Sequence, residues 1–185
     1  MAKIIIGIVG KNGSGKDTVA RILAQKLNAQ LIVYSGIIEK ALLVFLDQVQ
    51  IGRDDLSCLA TYLRGKYGDG IIAKGVKKEL DAKPDGVYLL VGARDLGDYE
   101  LVRSFPNNLF LGVDADVKIR WQRVKARKEK SDDDVSFPEF LEKEELKSEV
   151  KIGMLMEHAD FIIDNGDTLK DLKISIAEIL RLSQL

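Results

Sequence analysis

Glycines and a lysine crowd one short stretch near the start of the chain: Gly10-Lys11-Asn12-Gly13-Ser14-Gly15-Lys16-Asp17-Thr18. Residues without a Cβ let backbone N–H groups close on an anion, and a lysine at the end of such a run adds a positive charge. An apolar run, Ile4 to Val9, precedes the stretch, and a helical pattern from Val19 to Leu27 follows it. A strand that delivers a glycine loop to a helix N-terminus makes a phosphate-binding (Walker A) loop, because the first helical amides point at the ligand. A plain glycine turn would need neither the lysine nor the full spacing. Lys16 is placed to reach the β- and γ-phosphate oxygens of a bound nucleotide. The slot after that lysine ordinarily holds Ser or Thr, whose hydroxyl binds Mg²⁺; here it holds Asp17, with Thr18 one place later. An aspartate beside a polyphosphate is repelled unless a cation sits between them, so Asp17 or Thr18 is expected to hold Mg²⁺, directly or through water. The competing reading of Asp17 is an acid that complements the helix N-terminus.

Moving a phosphoryl group needs positive charge on its oxygens, a metal and an aligned acceptor. Arg120, Arg123 and Arg127 are spaced by three and four residues, which puts them on one helical face. Arginines so placed clamp a phosphate, unless they merely decorate a solvated face. Arg94 stands just past a strand, where a phosphate contact is expected. Asp95 and Asp98 can cap the helix that follows. Val91 occupies the position where a strand-end carboxylate often holds the metal, which strengthens the expectation for Asp17; Asp114 and Asp116, at another strand end, compete for that role.

The elements that must position these residues read as follows. Lys3 to Val9 and Val87 to Val91 are continuous apolar runs of the kind buried in a parallel sheet, as is Leu109 to Val113, with shorter strands at Gln30 to Tyr34 and Phe161 to Ile163. Helices are expected over Thr18 to Asn28, Ile37 to Gln48 (with Leu42, Leu43, Phe45 and Leu46 inside), Asp54 to Tyr67, Ile71 to Leu80, Tyr99 to Phe105, Asp116 to Glu129 and Glu139 to Glu157. The last, capped by Thr168, runs to Leu182. Strands alternating with helices make a three-layer α/β domain with a five-stranded, mostly parallel sheet. Ligands in such sheets bind at the carboxyl ends of strands. Gly10, Tyr34-Ser35, Gly92 to Arg94, Asp114 and Asp164-Asn165 all end strands, so the polar residues gather at one edge.

The 185 residues suit one domain with a full core, and an apolar content of 46% excludes a disordered chain. Charge is balanced, 28 basic against 29 acidic, which gives no global pull toward nucleic acid or anionic membrane. The longest apolar stretch, Ala41 to Leu46, is too short to span a bilayer, and no signal-peptide pattern is visible. Cys58, the single cysteine, excludes an intrachain disulfide, fits a reducing cytoplasm and is read as a small core residue. His158, the single histidine, is read as structural.

On these residues the chain resembles the P-loop nucleoside monophosphate kinase group. Its nearest likeness is to archaeal-type adenylate-kinase-like and dephospho-coenzyme-A-kinase-like proteins, and Gly13 to Thr18 is similar to the loop of deoxynucleoside monophosphate and phosphomevalonate kinases. Tyr34-Ser35-Gly36-Ile37-Ile38-Glu39-Lys40 is similar to the opening of the acceptor-nucleotide helix in adenylate kinases, with Ser35 and Gly36 matching and Lys40 on an arginine position. Gly92-Ala93-Arg94 matches the segment whose arginine holds the acceptor phosphate. Arg123 and Arg127 match the pair that opens the lid, Ser131 to Glu145 would be a short lid, and Asp164 to Asp167 matches the turn bordering the donor adenine, which brings in Asn165. Ile37 stands in place of an aspartate and Lys40 in place of an arginine, so the acceptor need not be AMP. Lys143 or Lys147 would have to serve for arginines that adenylate kinases carry after the lid.

The resemblance implies an ATP- and Mg²⁺-dependent small-molecule kinase built as a single P-loop domain over 1–185, with an acceptor-binding helical segment over about 35–82 and a lid over about 120–150. It implies Lys16, Arg94, Arg123 and Arg127 as the catalytic cations. It places nucleotide on Gly10 to Thr18 and Asn165, acceptor on Ser35, Gly36, Lys40 and Arg94, and Mg²⁺ on Asp17 and Thr18. The acceptor is a small phosphorylated molecule such as a (deoxy)nucleoside monophosphate. A hydroxyl acceptor of the dephospho-coenzyme A kind, or a nucleotide-binding regulator or slow ATPase, is the alternative. Neither nucleic acid nor membrane is expected as a partner, and the chain is expected to be a cytoplasmic monomer or homodimer.

Overall fold

A computed structural model describes residues 2–127, 135–145 and 147–183. Five parallel strands form one sheet: β1 (Ile4–Val9), β2 (Gln30–Val33), β3 (Val87–Val91), β4 (Asn107–Asp114) and β5 (Phe161–Asp164), in the order β2-β3-β1-β4-β5. β1 is central and apolar on both faces because both are covered. Ile5 and Val9 pack into one layer and Ile6 and Ile8 into the other, and all are fully buried. Each such side chain contributes about 1.5–3 kcal/mol.

Helices α1 (Lys16–Leu27) and α9 (Leu169–Leu182) cover one face through Val19, Leu23, Leu172 and Ile176. The other face carries α2 (Tyr34–Leu42), α4 (Ile71–Asp81), α5 (Leu96–Arg103) and α8 (Lys147–Met156) through Ile38, Val76, Val102, Ile152 and Leu155. Outside these, α3 (Arg53–Tyr67) lies on α2 and α4 and buries no residue fully. α6 (Val117–Arg127) and α7 (Phe137–Glu144) share a small core of Val124, Val135 and Phe140, with Trp121 against it.

The register fixes the working edge. Ile8 pairs with Val91 on β3 and Val9 with Gly112 on β4, and the Gly92 amide donates to Ile8 O at 2.9 Å. Gly10, Gly92 and the end of β4 therefore leave the sheet side by side, as the strand-end argument requires.

Three expectations about elements need correction. The second helix begins at Tyr34, not Ile37, and stops at Leu42. The chain then turns, and Asp47 and Gln50 close a capping box on a short 3-10 turn, Gln48–Gln50. Phe45 is consequently 83% exposed, and Leu43 and Leu46 are exposed as well. The run Ala41 to Leu46 is apolar on every side, so it carries no period to say which face would be covered. Cys58 is exposed rather than buried, because α3 is an outer helix. The expected helix Glu139 to Glu157 is two helices. α7 must set Phe140 against α6, while α8 must set Ile152 and Leu155 against the sheet, and one straight helix cannot do both. Asp95, Asp116 and Thr168 cap helices, which accounts for the expected breaks there.

Candidate active site

The glycine stretch connects the end of β1 to α1, whose first residue is Lys16. Gly13 (φ 78°) and Gly15 (φ 88°) take left-handed backbone angles that L side chains adopt at a cost. A Cβ at Gly13 would lie 2.4 Å from the Arg120 carbonyl oxygen, and one at Gly10 would lie 2.5 Å from Val113 O. The loop is thus pressed onto β4 and α6 by backbone, and only glycine fits. The Ser14 amide turns back onto Lys11 O at 3.2 Å, and the first helical bonds run from Thr18 and Val19 to Gly15 O. The amides of Gly15, Lys16 and Asp17 stand ahead of those bonds, which is the geometry that offers N–H groups to an anion.

Asn165 and Arg123 hold the loop from the β5 side. Asn165 is buried; its amide donates to Asp114 O at 2.8 Å and its Nδ2 to Ser14 O at 2.8 Å. Arg123 Nη2 donates to Asn165 O at 2.7 Å. Arg123 Nη1 lies 3.8 Å from where a Gly15 Cβ would stand, is buried, and makes no hydrogen bond among the described residues. Ser14 Oγ is likewise buried without a partner. Two orphaned polar atoms facing one glycine cradle are what a phosphate would satisfy, so the residues present fit a bound triphosphate.

On the opposite flank, Glu144 at the end of α7 bridges three elements. Its oxygens accept from Arg120 Nη1 and Nη2, each at 2.7 Å, and from Lys11 Nζ at 2.8 Å. Arg120 Nε also donates to Ala115 O at 3.1 Å, and Nη1 reaches Asn12 O at 3.4 Å. Burial alone would raise the Glu144 pKa, but the hydrogen bonds from Arg120 and Lys11 outweigh it and hold the carboxyl below its ordinary value. Of the three arginines expected on one face, Arg120 is therefore tied into the clamp that fixes the loop. Arg123 faces the cradle, and Arg127 is the last residue of α6. Replacing Glu144 with alanine leaves a guanidinium that is only 5% exposed without its counter-charge. The expected loss is about 2 kcal/mol, since Glu144 itself keeps some solvent. A thermal melt should show it as a fall of roughly 4–8 °C.

A second charged cluster is built at the end of β3. Asp95 caps α5, accepting from the Asp98 amide at 3.2 Å, and its Oδ2 takes the Arg64 Nε at 2.6 Å. Asp98 Oδ2 accepts from the Arg94 amide at 2.8 Å and the Asp95 amide at 3.3 Å, and Tyr34 Oη donates to Asp98 O at 3.2 Å. Burial, then the Asp95 carboxylate, pushes the Asp98 pKa from 3.8 to about 7. Burial, then Asp98 and Asp95, raises Tyr34 well above its ordinary value. Between pH 3.8 and about 7 the folded chain keeps a proton on Asp98 that the unfolded chain has lost. The contribution of Asp98 to stability therefore falls as pH rises through that window and is level above it. Denaturation as a function of pH should show this decline, and Asp98→Asn should remove it.

The other expected residues are placed plainly. Asp17 is exposed in the first turn of α1, and Thr18 Oγ1 accepts from Arg21 Nη2 at 3.4 Å. Among the described residues no cluster of three or more His, Cys, Asp or Glu side chains forms a metal cage. Ser35 and Gly36 lie in the first turn of α2. Lys40 pairs with Glu79 on α4 at 2.5 Å, and its side chain is 63% exposed. Arg94 is half-buried at the edge beside Gly10. Lys143 is exposed on α7, and 131–134 of the expected lid lie outside the described residues. Glu144 and Arg64 were missed by sequence reasoning. Both act through ion pairs to residues distant in sequence, which no local pattern encodes.

Comparison places this geometry. Over 98% of its length the chain resembles a shikimate kinase of Bacteroides thetaiotaomicron, with a TM-score of 0.67, 15% identity and 99% of that chain covered. TT1252 of Thermus thermophilus superposes with a TM-score of 0.62 at 22% identity, with 98% of both chains covered. The chain has a P-loop kinase-like fold. By sequence it is similar to a UPF0200 protein of Methanothermobacter thermautotrophicus, 26% identical over 182 residues, 98% of this chain and 91% of the relative. It is also similar to a UPF0200 protein of Saccharolobus solfataricus, 28% identical over 177 residues, 95% of this chain and 91% of the relative. No protein-family model matches the chain. Among the described residues of the P-loop fold, no helix is long and apolar enough to cross a membrane.

Proposed function

We propose that the chain is an ATP- and Mg²⁺-dependent kinase that transfers a phosphoryl group to a small phosphorylated acceptor, such as a (deoxy)nucleoside monophosphate. The observation that carries this reading is the loop itself: backbone-tight glycines, first-turn amides, and Ser14 Oγ and Arg123 Nη1 beside it, both buried without a hydrogen-bond partner among the described residues. The shikimate kinases among the structural neighbours agree with a kinase and leave the acceptor open.

In this reading the first-turn amides of α1 and Lys16 bind the β- and γ-phosphates. Arg123 neutralises charge on the moving group and holds Asn165 against the loop. A bound Mg²⁺ would supply positive charge to offset what develops on the phosphate oxygens. Asp17, exposed beside Lys16, would hold it, as no cluster of three or more carboxylate, His or Cys side chains forms a cage among the described residues. Thr18 is the second candidate for that contact. Arg94, fixed through its own amide by Asp98, holds the acceptor phosphate at the edge where Gly10 and Gly92 emerge together. Distance between the donor and acceptor cations then sets the in-line approach.

A coupled assay of ADP release tests this, with ATP, Mg²⁺ and a panel of nucleoside monophosphates, dephospho-coenzyme A and phosphomevalonate. The expected result is ADP release that depends on one class of phosphorylated acceptor. Release at the same slow rate with every acceptor and with none would contradict the kinase reading and point to a slow ATPase.

A further inference from the structure

Arg64 has no part in the loop chemistry and is not explained by packing. It lies on α3, an outer helix that buries no residue fully, yet it reaches inward to Asp95, whose carboxylate is 1% exposed. Capping α5 does not require this pair. A serine, threonine or asparagine caps a helix as well as an aspartate does, without any need of an arginine 31 residues away. The pair joins the cover of the acceptor segment to the turn that immediately follows Arg94.

The position of that turn gives the contact its meaning. β3 runs beside β1, so Arg94 and Asp95 leave the sheet next to the glycine loop. Lys40, the cation that the sequence offers from this segment, donates to Glu79. Arg64 meets Asp95 through Nε. That contact orients the planar guanidinium and leaves its Nη edge shaped for a second, forked contact with an oxyanion. Behind Arg64, Asp95 balances its charge, so a second cation can converge here without a large mutual penalty.

We infer that Arg64 is the second arm of the acceptor subsite, closing with Arg94 on a phosphomonoester dianion while Asp95 holds it in place. The inference rests on the proposed kinase reading and deepens it: the acceptor must bring an anionic group to the β3 edge, and α3 carries part of its specificity.

Inorganic phosphate, titrated calorimetrically into the full chain already saturated with Mg²⁺ and the non-hydrolysable ATP analogue AMP-PNP, tests this directly, because the donor site is then filled. Wild type should take up one phosphate per chain. Arg64→Ala and Arg64→Lys should each weaken phosphate binding by about 10-fold or more, while AMP-PNP binds within about 2-fold of wild type, because a lysine keeps the charge but loses the fork. Arg64→Lys keeps a partner for Asp95, so it decides the matter if the alanine variant does not fold. Phosphate binding unchanged in Arg64→Lys, or no phosphate uptake by wild type in the presence of bound AMP-PNP, would overturn the subsite. Failure of wild type to bind AMP-PNP would instead overturn the kinase reading beneath it.

Discussion

Lys16→Ala is expected to lower phosphoryl-transfer turnover by roughly 10²- to 10³-fold. Lys16 opens α1 directly after Gly15, so its ammonium rides on the same turn as the free amides that would receive the phosphates. Its charge matters most when negative charge spreads over the transferring group. Turnover should therefore fall more than nucleotide binding does. Asn165, Arg120 and the glycine contacts remain in place to hold the loop in the variant, which should still fold and melt cooperatively. Steady-state rates, set beside a nucleotide titration and a thermal melt, check all three expectations.

Arg123→Ala should cost turnover roughly 10³-fold, the scale of an arginine that neutralises a moving phosphoryl group. Two roles meet in this residue. Nη2 fixes Asn165 O at 2.7 Å, and Asn165 in turn fixes Ser14 O at 2.8 Å, so the arginine braces the cradle wall. Nη1 is buried and unpartnered, the atom in position for a phosphate oxygen. Arg123→Lys should recover little, because one ammonium cannot hold Asn165 and a phosphate oxygen in the same geometry. The split is diagnostic: kcat should fall far more than nucleotide affinity. Loss of affinity alone would reduce Arg123 to a brace for Asn165.

The loop was legible in the sequence because its constraints are local. Gly13 and Gly15 need left-handed backbone, and no other residue type supplies both that and the room that the Arg120 carbonyl leaves. The strands were legible for a similar reason, since runs such as Ile4 to Val9 are apolar on consecutive residues only when both faces are covered. What could not be read were the partners of charged side chains. Glu144 sits in the run Glu142-Lys143-Glu144-Glu145, where nothing sets it apart, and only the folded chain puts it between Arg120 and Lys11. Lys40 is suited to an acceptor phosphate by its place in a motif, but its pairing with Glu79 has no local signal, and neither has that of Arg64, in no motif, with Asp95. Apolarity also misled at Phe45 and Cys58: hydrophobic character promotes burial only where a side chain faces a core, and neither the turn after α2 nor the side of α3 that carries Cys58 does so, whereas Leu56, Leu59 and Leu63 of α3 do.

The central claim concerns the amides from Gly10 to Thr18. A crystal structure of the full chain with Mg²⁺ and AMP-PNP tests it most directly. The account requires phosphate oxygens within hydrogen-bonding distance of the first-turn amides of α1 and of Lys16 Nζ, with Arg123 Nη1 now paired. A triphosphate lodged elsewhere on the molecule, with this loop empty at saturating nucleotide, would contradict it.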